Sequence, residues 1–111
     1  MANNFYVKTE ASVGSTLTQV ATYTPGAGVE TTIIGLTVAN IETSQIQVDV
    51  KLVTSVGDDV YLIKAAPVPV GSSLVVVGGD QKVVLNAGDY IQVYSDTAAS
   101  ADVAMSILEI S

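Results

Sequence analysis

Gln45-Ile46-Gln47-Val48-Asp49-Val50-Lys51-Leu52 alternates polar and apolar residues without a break. Successive side chains of an extended strand point to opposite faces, so Ile46, Val48, Val50 and Leu52 line one face and Gln45, Gln47, Asp49 and Lys51 the other. This is a strand with one face in a core and one in water, the habit of antiparallel sheets. Just upstream, residues 32–40 place Ile34, Leu36 and Val38 on one face, with Gly35 opposite, where a glycine marks close packing or a bulge. The link Asn40-Ile41-Glu42-Thr43-Ser44 carries turn chemistry, so the two segments are expected to pair as a hairpin.

Working outward, Val60-Tyr61-Leu62-Ile63-Lys64 follows the turn at residues 55–59. Leu74 to Val77 precedes Gly78-Gly79-Asp80, which reads as a hairpin turn into Lys82 to Leu85. Asn86-Ala87-Gly88-Asp89 turns the chain into Tyr90 to Ser95, where Ile91 and Val93 face in. Asp102 to Ile110 is a strand with Val103, Met105 and Ile107 inward, and Phe5 to Val13 and Leu17 to Tyr23 read as two more. No stretch of helical period reaches about ten residues. The pattern predicts an all-β fold: a single antiparallel β-sandwich, jelly-roll or Ig-like, of about eight short strands. One domain spans 1–111, with residues 1–6 as an N-terminal arm.

Composition excludes much chemistry. The 111 residues include 4 Lys and Arg together, 11 Asp and Glu, no His, no Cys and no Trp, for a net charge of −7. Thiolate nucleophiles, Cys/His zinc sites, haem ligation and histidine acid–base catalysis lack their residues. An acidic chain without Arg also lacks the forks that grip phosphate, so nucleic acid is not an expected partner. Val, Ile and Thr account for 38 of 111 residues, as a pleated, half-buried surface favours. Only 14% are charged, against about 25% in ordinary soluble domains, which suggests that neighbours cover part of the surface. Met1-Ala2-Asn3-Asn4 has no basic region and Phe5-Tyr6-Val7 is a short apolar run, so no secretory leader is expected. The aliphatic run Leu74 to Val77 is far below the ~18 residues of a spanning helix, and negative charge disfavours anionic lipid; no membrane partner is expected.

The carboxylates do not assemble into a recognisable site. A glycosidase needs one protonated and one ionised carboxyl across a cleft, yet Glu10, Glu30, Glu42 and Glu109 are scattered with no pairing spacing. Gly57-Asp58-Asp59 is the densest acidic point, but without Asp-x-Asp-x-Asp-Gly spacing it reads as a solvated turn, not a calcium loop. Ser72 and Ser73 near Lys64 imitate a Ser–Lys dyad and read better as turn residues beside a solvated lysine. No catalytic residue, cofactor or metal is expected, and the chain reads as no enzyme.

Two features suit binding. Tyr90 and Tyr94 flank Gln92 on the polar side of one strand, so their rings stand outward together, as a ligand platform or as cross-strand packing. Ala65-Ala66-Pro67-Val68-Pro69-Val70-Gly71 must be a loop or edge, because its prolines cannot extend a central ladder, yet it is apolar. A stiff apolar loop docks at low ordering cost. The expected partner contacts are therefore Asn3, Asn4, Phe5 and Tyr6 of the arm with Ala66, Pro67, Val68, Pro69 and Val70 of the loop.

Residues 33–41 and 45–52, then Tyr61 to Leu74, Gly78-Gly79-Asp80-Gln81-Lys82 and Ala87-Gly88-Asp89-Tyr90-Ile91-Gln92-Val93, together resemble the small virion structural proteins of tailed bacteriophages, including cyanophages. The likeness covers about residues 31–111 and is one of turns and strands. Its Leu-x-x-Gly-Asp-x-Ile-x-Val core, Leu85 to Val93, also occurs in sandwich families of the complement and tumour-necrosis-factor type. The resemblance implies a capsid decoration (cement) protein, a homotrimer on the virion surface, made in the host cytoplasm and bound to the major capsid protein. The alternatives it leaves are a neck, tail or fibre accessory, or a receptor- or glycan-binding subunit.

Overall fold

A computed structural model describes residues 3–78 and 81–110. Among them nine strands form: β1 (Asn3–Val13), β2 (Thr18–Gln19), β3 (Glu30–Asn40), β4 (Ile46–Val53), β5 (Val60–Val68), β6 (Ser73–Val77), β7 (Val83–Leu85), β8 (Tyr90–Ser95) and β9 (Ala101–Ile110). They build a five-stranded sheet in the order β1-β9-β3-β6, with β7 also on β3, and a four-stranded sheet in the order β2-β8-β4-β5. Every described pairing is antiparallel.

β6 pairs with Leu36 to Ala39 of β3, and β7 pairs with Thr31 to Ile33 of the same strand. The two therefore lie end to end along β3, one edge strand broken at residues 78–82. The strands that the expected hairpin at Gly78-Gly79-Asp80 would join do not pair with each other, since eleven-residue β3 holds both; Gly79 and Asp80 themselves lie outside the described residues. Counting β6 and β7 as one strand, the first pairs with the last, the second with the next to last, and so inward to the β4–β5 hairpin. A long hairpin rolled up in this way, with consecutive strands alternating between two sheets, is a jelly roll.

That winding overturns the expected β3–β4 hairpin. The two strands belong to different sheets, and the 40–44 link crosses between them. Asn40 directs the crossing: its buried Nδ2 donates to the Ser44 carbonyl (2.9 Å) and the Val68 carbonyl (2.9 Å), while its Oδ1 accepts from the Glu42 amide (2.8 Å). In β3 the register against β9 shifts between Ile33 and Gly35, so Ile33, not Ile34, is the fully buried residue beside Leu36 and Val38. The bulge anticipated at Gly35 is present.

The core lies between the sheets. Ile33, Leu36, Val38, Val103, Met105 and Ile107 descend from one, and Ile46, Val48, Val50, Ile91 and Val93 rise from the other. Leu52 packs against them half-buried. The anticipated strand at 17–23 shrinks to β2, because Ala21 and Thr22 turn into the left-handed region (φ 53° and 48°). Residues 3–6 form no free arm: Asn3, Asn4, Phe5 and Tyr6 pair with Ile110, Glu109, Leu108 and Ile107, which satisfies backbone groups that β9 would otherwise leave open on that side. Among the described residues, no helix is long and apolar enough to cross a membrane.

Candidate interaction surfaces

Alternation that drives half of each long strand inward leaves the other half on the outer face of its sheet. On the five-stranded sheet that outer set is unusually poor in charge. β9 contributes Asp102, Ala104, Ser106 and Leu108, alternating with its buried residues. In register beside them stand Phe5, Val7 and Thr9 of β1 and Thr32, Gly35, Thr37 and Ala39 of β3. Val75 and Val84 continue the face onto the broken edge strand, opposite Thr37 and Thr32. Phe5 is 71% exposed, Val7 63%, Val75 64% and Val84 52%. Asp102 and Glu30 are charged residues of this face, Glu10 also lines its depression, and Asp102 is engaged by the Ser12 amide (2.9 Å). A contiguous apolar surface of this kind is a site for protein contact.

The face is uneven along the strands. The end carrying Phe5 and Leu108 is bulky, and Val7 projects between the ends, level with Ser106. Toward the other end, Thr9, Glu10, Ala11, Thr37, Ala39, Asp102, Val103 and Ala104 line a depression of about 280 Å³. Between them Gly35 and Ser106 lie level, the glycine's missing Cβ leaving 4.0 Å to the serine Cβ.

The outer face of the four-stranded sheet has a different chemistry. Tyr90, Gln92 and Tyr94 are half-buried and alternate with buried Ile91 and Val93, so the two rings do share that face. Tyr94 is in register with Asp49 and Gln92 with Lys51. Asp49 is buried, accepts from the Lys64 Nζ (2.9 Å) and the Ala65 amide (2.7 Å), and its hydrogen bond is the main cause that raises the Lys64 pKa. The ammonium groups of Lys64 and Lys51 lie 4.6 Å and 5.7 Å from the Tyr61 ring centre. Charge, amide and ring edges make this a wettable face.

The expected contact residues divide. Val68 is fully buried in the core and Ala66 packs against it, so neither offers a side chain to a partner; Pro67, Pro69 and Val70 are exposed. The reason is that β5 is an edge strand that tolerates Pro67 while its alternate residues still face in. The 3–6 and 67–70 segments also do not converge. Phe5 lies level with Leu108 and Thr32, whereas Val68 meets Asn40 at the far end of β3, roughly 26 Å away at 3.3 Å per residue. They occupy opposite edges too, β1 flanking β9 and β5 flanking β4. Exposed Ile41 joins Pro69 and Val70 at the far end, where the Asn40 amide donates to the Ser72 carbonyl.

The remaining ionisable groups serve the fold. Asp59 accepts from the Thr54 amide within its turn, and among the described residues no three carboxylates gather as a metal-binding group. The Ser72 hydroxyl donates to the Pro69 carbonyl, and Lys64 is held by Asp49, so they form no dyad. Near the bulky end, the Tyr23 hydroxyl meets Glu109 and buried Thr31; burial, then the carboxylate, push its pKa up to about 12. The apolar outer face was the surface that sequence reading missed. Its signal was the uncharged outward series Ala104, Ser106, Leu108 and Ile110. Comparison with protein-family models, curated proteins and solved structures finds no match to this chain.

Proposed function

We propose that the chain is a structural protein of a tailed-phage virion, a capsid decoration (cement) protein that stabilises the assembled shell by protein–protein contact without catalysis. The observation that carries this reading is the charge-poor, largely apolar outer face of the five-stranded sheet, a surface suited to assembly more than to a solitary domain. The jelly roll, a fold common to viral capsid and lectin domains, agrees with the resemblance, although fold alone does not assign function. Ile41, Pro69 and Val70 supply a stiff apolar tip for the major capsid protein, and Asn3, Asn4, Phe5 and Tyr6 a second contact at the other end. A ligand of the assembled shell shifts the assembly equilibrium toward it by mass action. A second reading, a tail accessory or glycan-binding subunit, is favoured by Tyr90 and Tyr94 on the other sheet. Quantitative mass spectrometry of purified particles decides: about one copy per coat subunit supports decoration, a few per cent moves the chain to neck, tail or fibre, and absence rejects the virion reading.

A further inference from the structure

We infer that the outer face of the five-stranded sheet is occupied by a second copy of this chain, the two packed face to face about a two-fold axis that runs across the strands at the level of Gly35 and Ser106. Such an axis reverses strand direction between copies. It sets the bulky end of one copy, with Phe5 and Leu108, over the depression at Thr9, Thr37, Asp102 and Ala104 of the other, and the reverse, while Val7, level with Ser106, meets its own copy at the axis. One patch that carries the projection on one side of its centre and the hollow on the other is self-complementary, as an isologous contact requires. Gly35 and Ser106 at the centre are small enough for two sheets to approach at about 10 Å.

Size agrees. Four strand rows at about 4.8 Å and ten residues at about 3.3 Å give a footprint of roughly 630 Å² before side-chain corrugation. A stable interface needs about 800 Å² of accessible surface per partner, so this face is of the right order. A chain of net charge −7 would repel its copy through most surfaces, and this one is poor in charge: it carries Glu10 and Asp102 at the depression and Glu30 at the other end, which the axis sets at the Asp102 level of the facing copy. The four-stranded sheet, with Lys51, Asp49 and Lys64 outward, remains in water.

The inference concerns the isolated chain and does not depend on the virion reading. It also differs from the threefold assembly that the resemblance implies. Sedimentation equilibrium of the full chain at about 100 µM should give twice the chain mass. Val7→Lys should weaken pairing at least about tenfold, since the two cations would meet across the axis. Gln92→Arg, on the opposite sheet, should leave it unchanged. Because the chain has no cysteine, Ser106→Cys with a short bismaleimide gives a readout that needs no disruptive variant: it should crosslink to a dimer, and Gln92→Cys should not. A monomer, a trimer, a dimer indifferent to the face charges, or a failed Ser106 crosslink would each overturn the inference. A confirmed dimer absent from particles would reject decoration alone, and a monomer present at shell stoichiometry would reject the pairing alone.

Discussion

Replacing Asn40 with alanine should cost about 2–4 kcal/mol. The substitution removes three hydrogen bonds, to the Ser44 and Val68 carbonyls and from the Glu42 amide. A typical intramolecular bond contributes about 0.5–1.5 kcal/mol net, and a buried acceptor left without a donor costs about 1–3 kcal/mol. Ser44 and Glu42 sit at a turn that water can reach, whereas the bond to Val68 is buried, so the Val68 carbonyl carries most of the loss. At about 4 °C per kcal/mol for a domain of this size, Tm should fall by about 8–16 °C. Urea unfolding followed by circular dichroism gives the free energy, and calorimetry gives Tm. Asn40→Asp is the sharper control: it keeps the acceptor for Glu42 but aims a carboxylate at two carbonyls, so it should be at least as damaging as alanine. If Asn40→Ala stayed within about 0.5 kcal/mol of the parent chain, as ordinary surface changes do, the side chain would not be what holds the sheet crossing.

Other outcomes follow from single positions. Val68→Asp should unfold the chain, because it places a charge in the core, while Val70→Asp should leave Tm nearly unchanged; thermal melts of the two would separate a buried from an exposed valine. Asp89 is buried, which pushes its pKa up, but the Ser55 and Asn86 amides and the Ser55 hydroxyl outweigh this and hold it below the usual carboxylate range. Its contribution is therefore present above about pH 4 and lost as pH falls through the lower folded value. Asp89→Asn should be less stable near neutrality, with the gap to the parent closing in acid; a gap that stays constant would refute the assignment. Tyr23, with its pKa at about 12 in the fold, stabilises fully below about pH 10 and loses that contribution as pH rises through 12. Parallel urea titrations on alkaline buffers should show a steeper decline for the parent than for Tyr23→Phe.

Which face a residue occupies was legible; which strand it sits beside was not. Alternation placed Ile46, Val48, Val50, Ile91, Val93, Val103, Met105 and Ile107 in the core, because a period of two reports burial directly. It carries no information about partners, and a polar five-residue link serves a hairpin or a sheet crossing equally well. The choice was made by Asn40 reaching a carbonyl 28 residues away. The same limit hid Val68: register shifts against β4 move the phase of β5, and Ala65 adopts φ 53°, so no local pattern told buried Val68 from exposed Val70. For the surfaces, the outward pairing of Tyr90 and Tyr94 was readable from one strand. The apolar outer face required knowing that β1, β9 and β3 lie side by side.

That adjacency also governs when the fold can form. β9 sits between β1 and β3, so the two strands that precede it by some sixty to one hundred residues have no ladder to each other. During synthesis β1 must wait, without its β9 partner, until residues 101–110 have emerged, and only then can the five-stranded sheet close around β9. Such long-range closure is slow by the standards of domains this small. The interval leaves Phe5, Val7 and their neighbours without the partner strand that later covers their backbone groups.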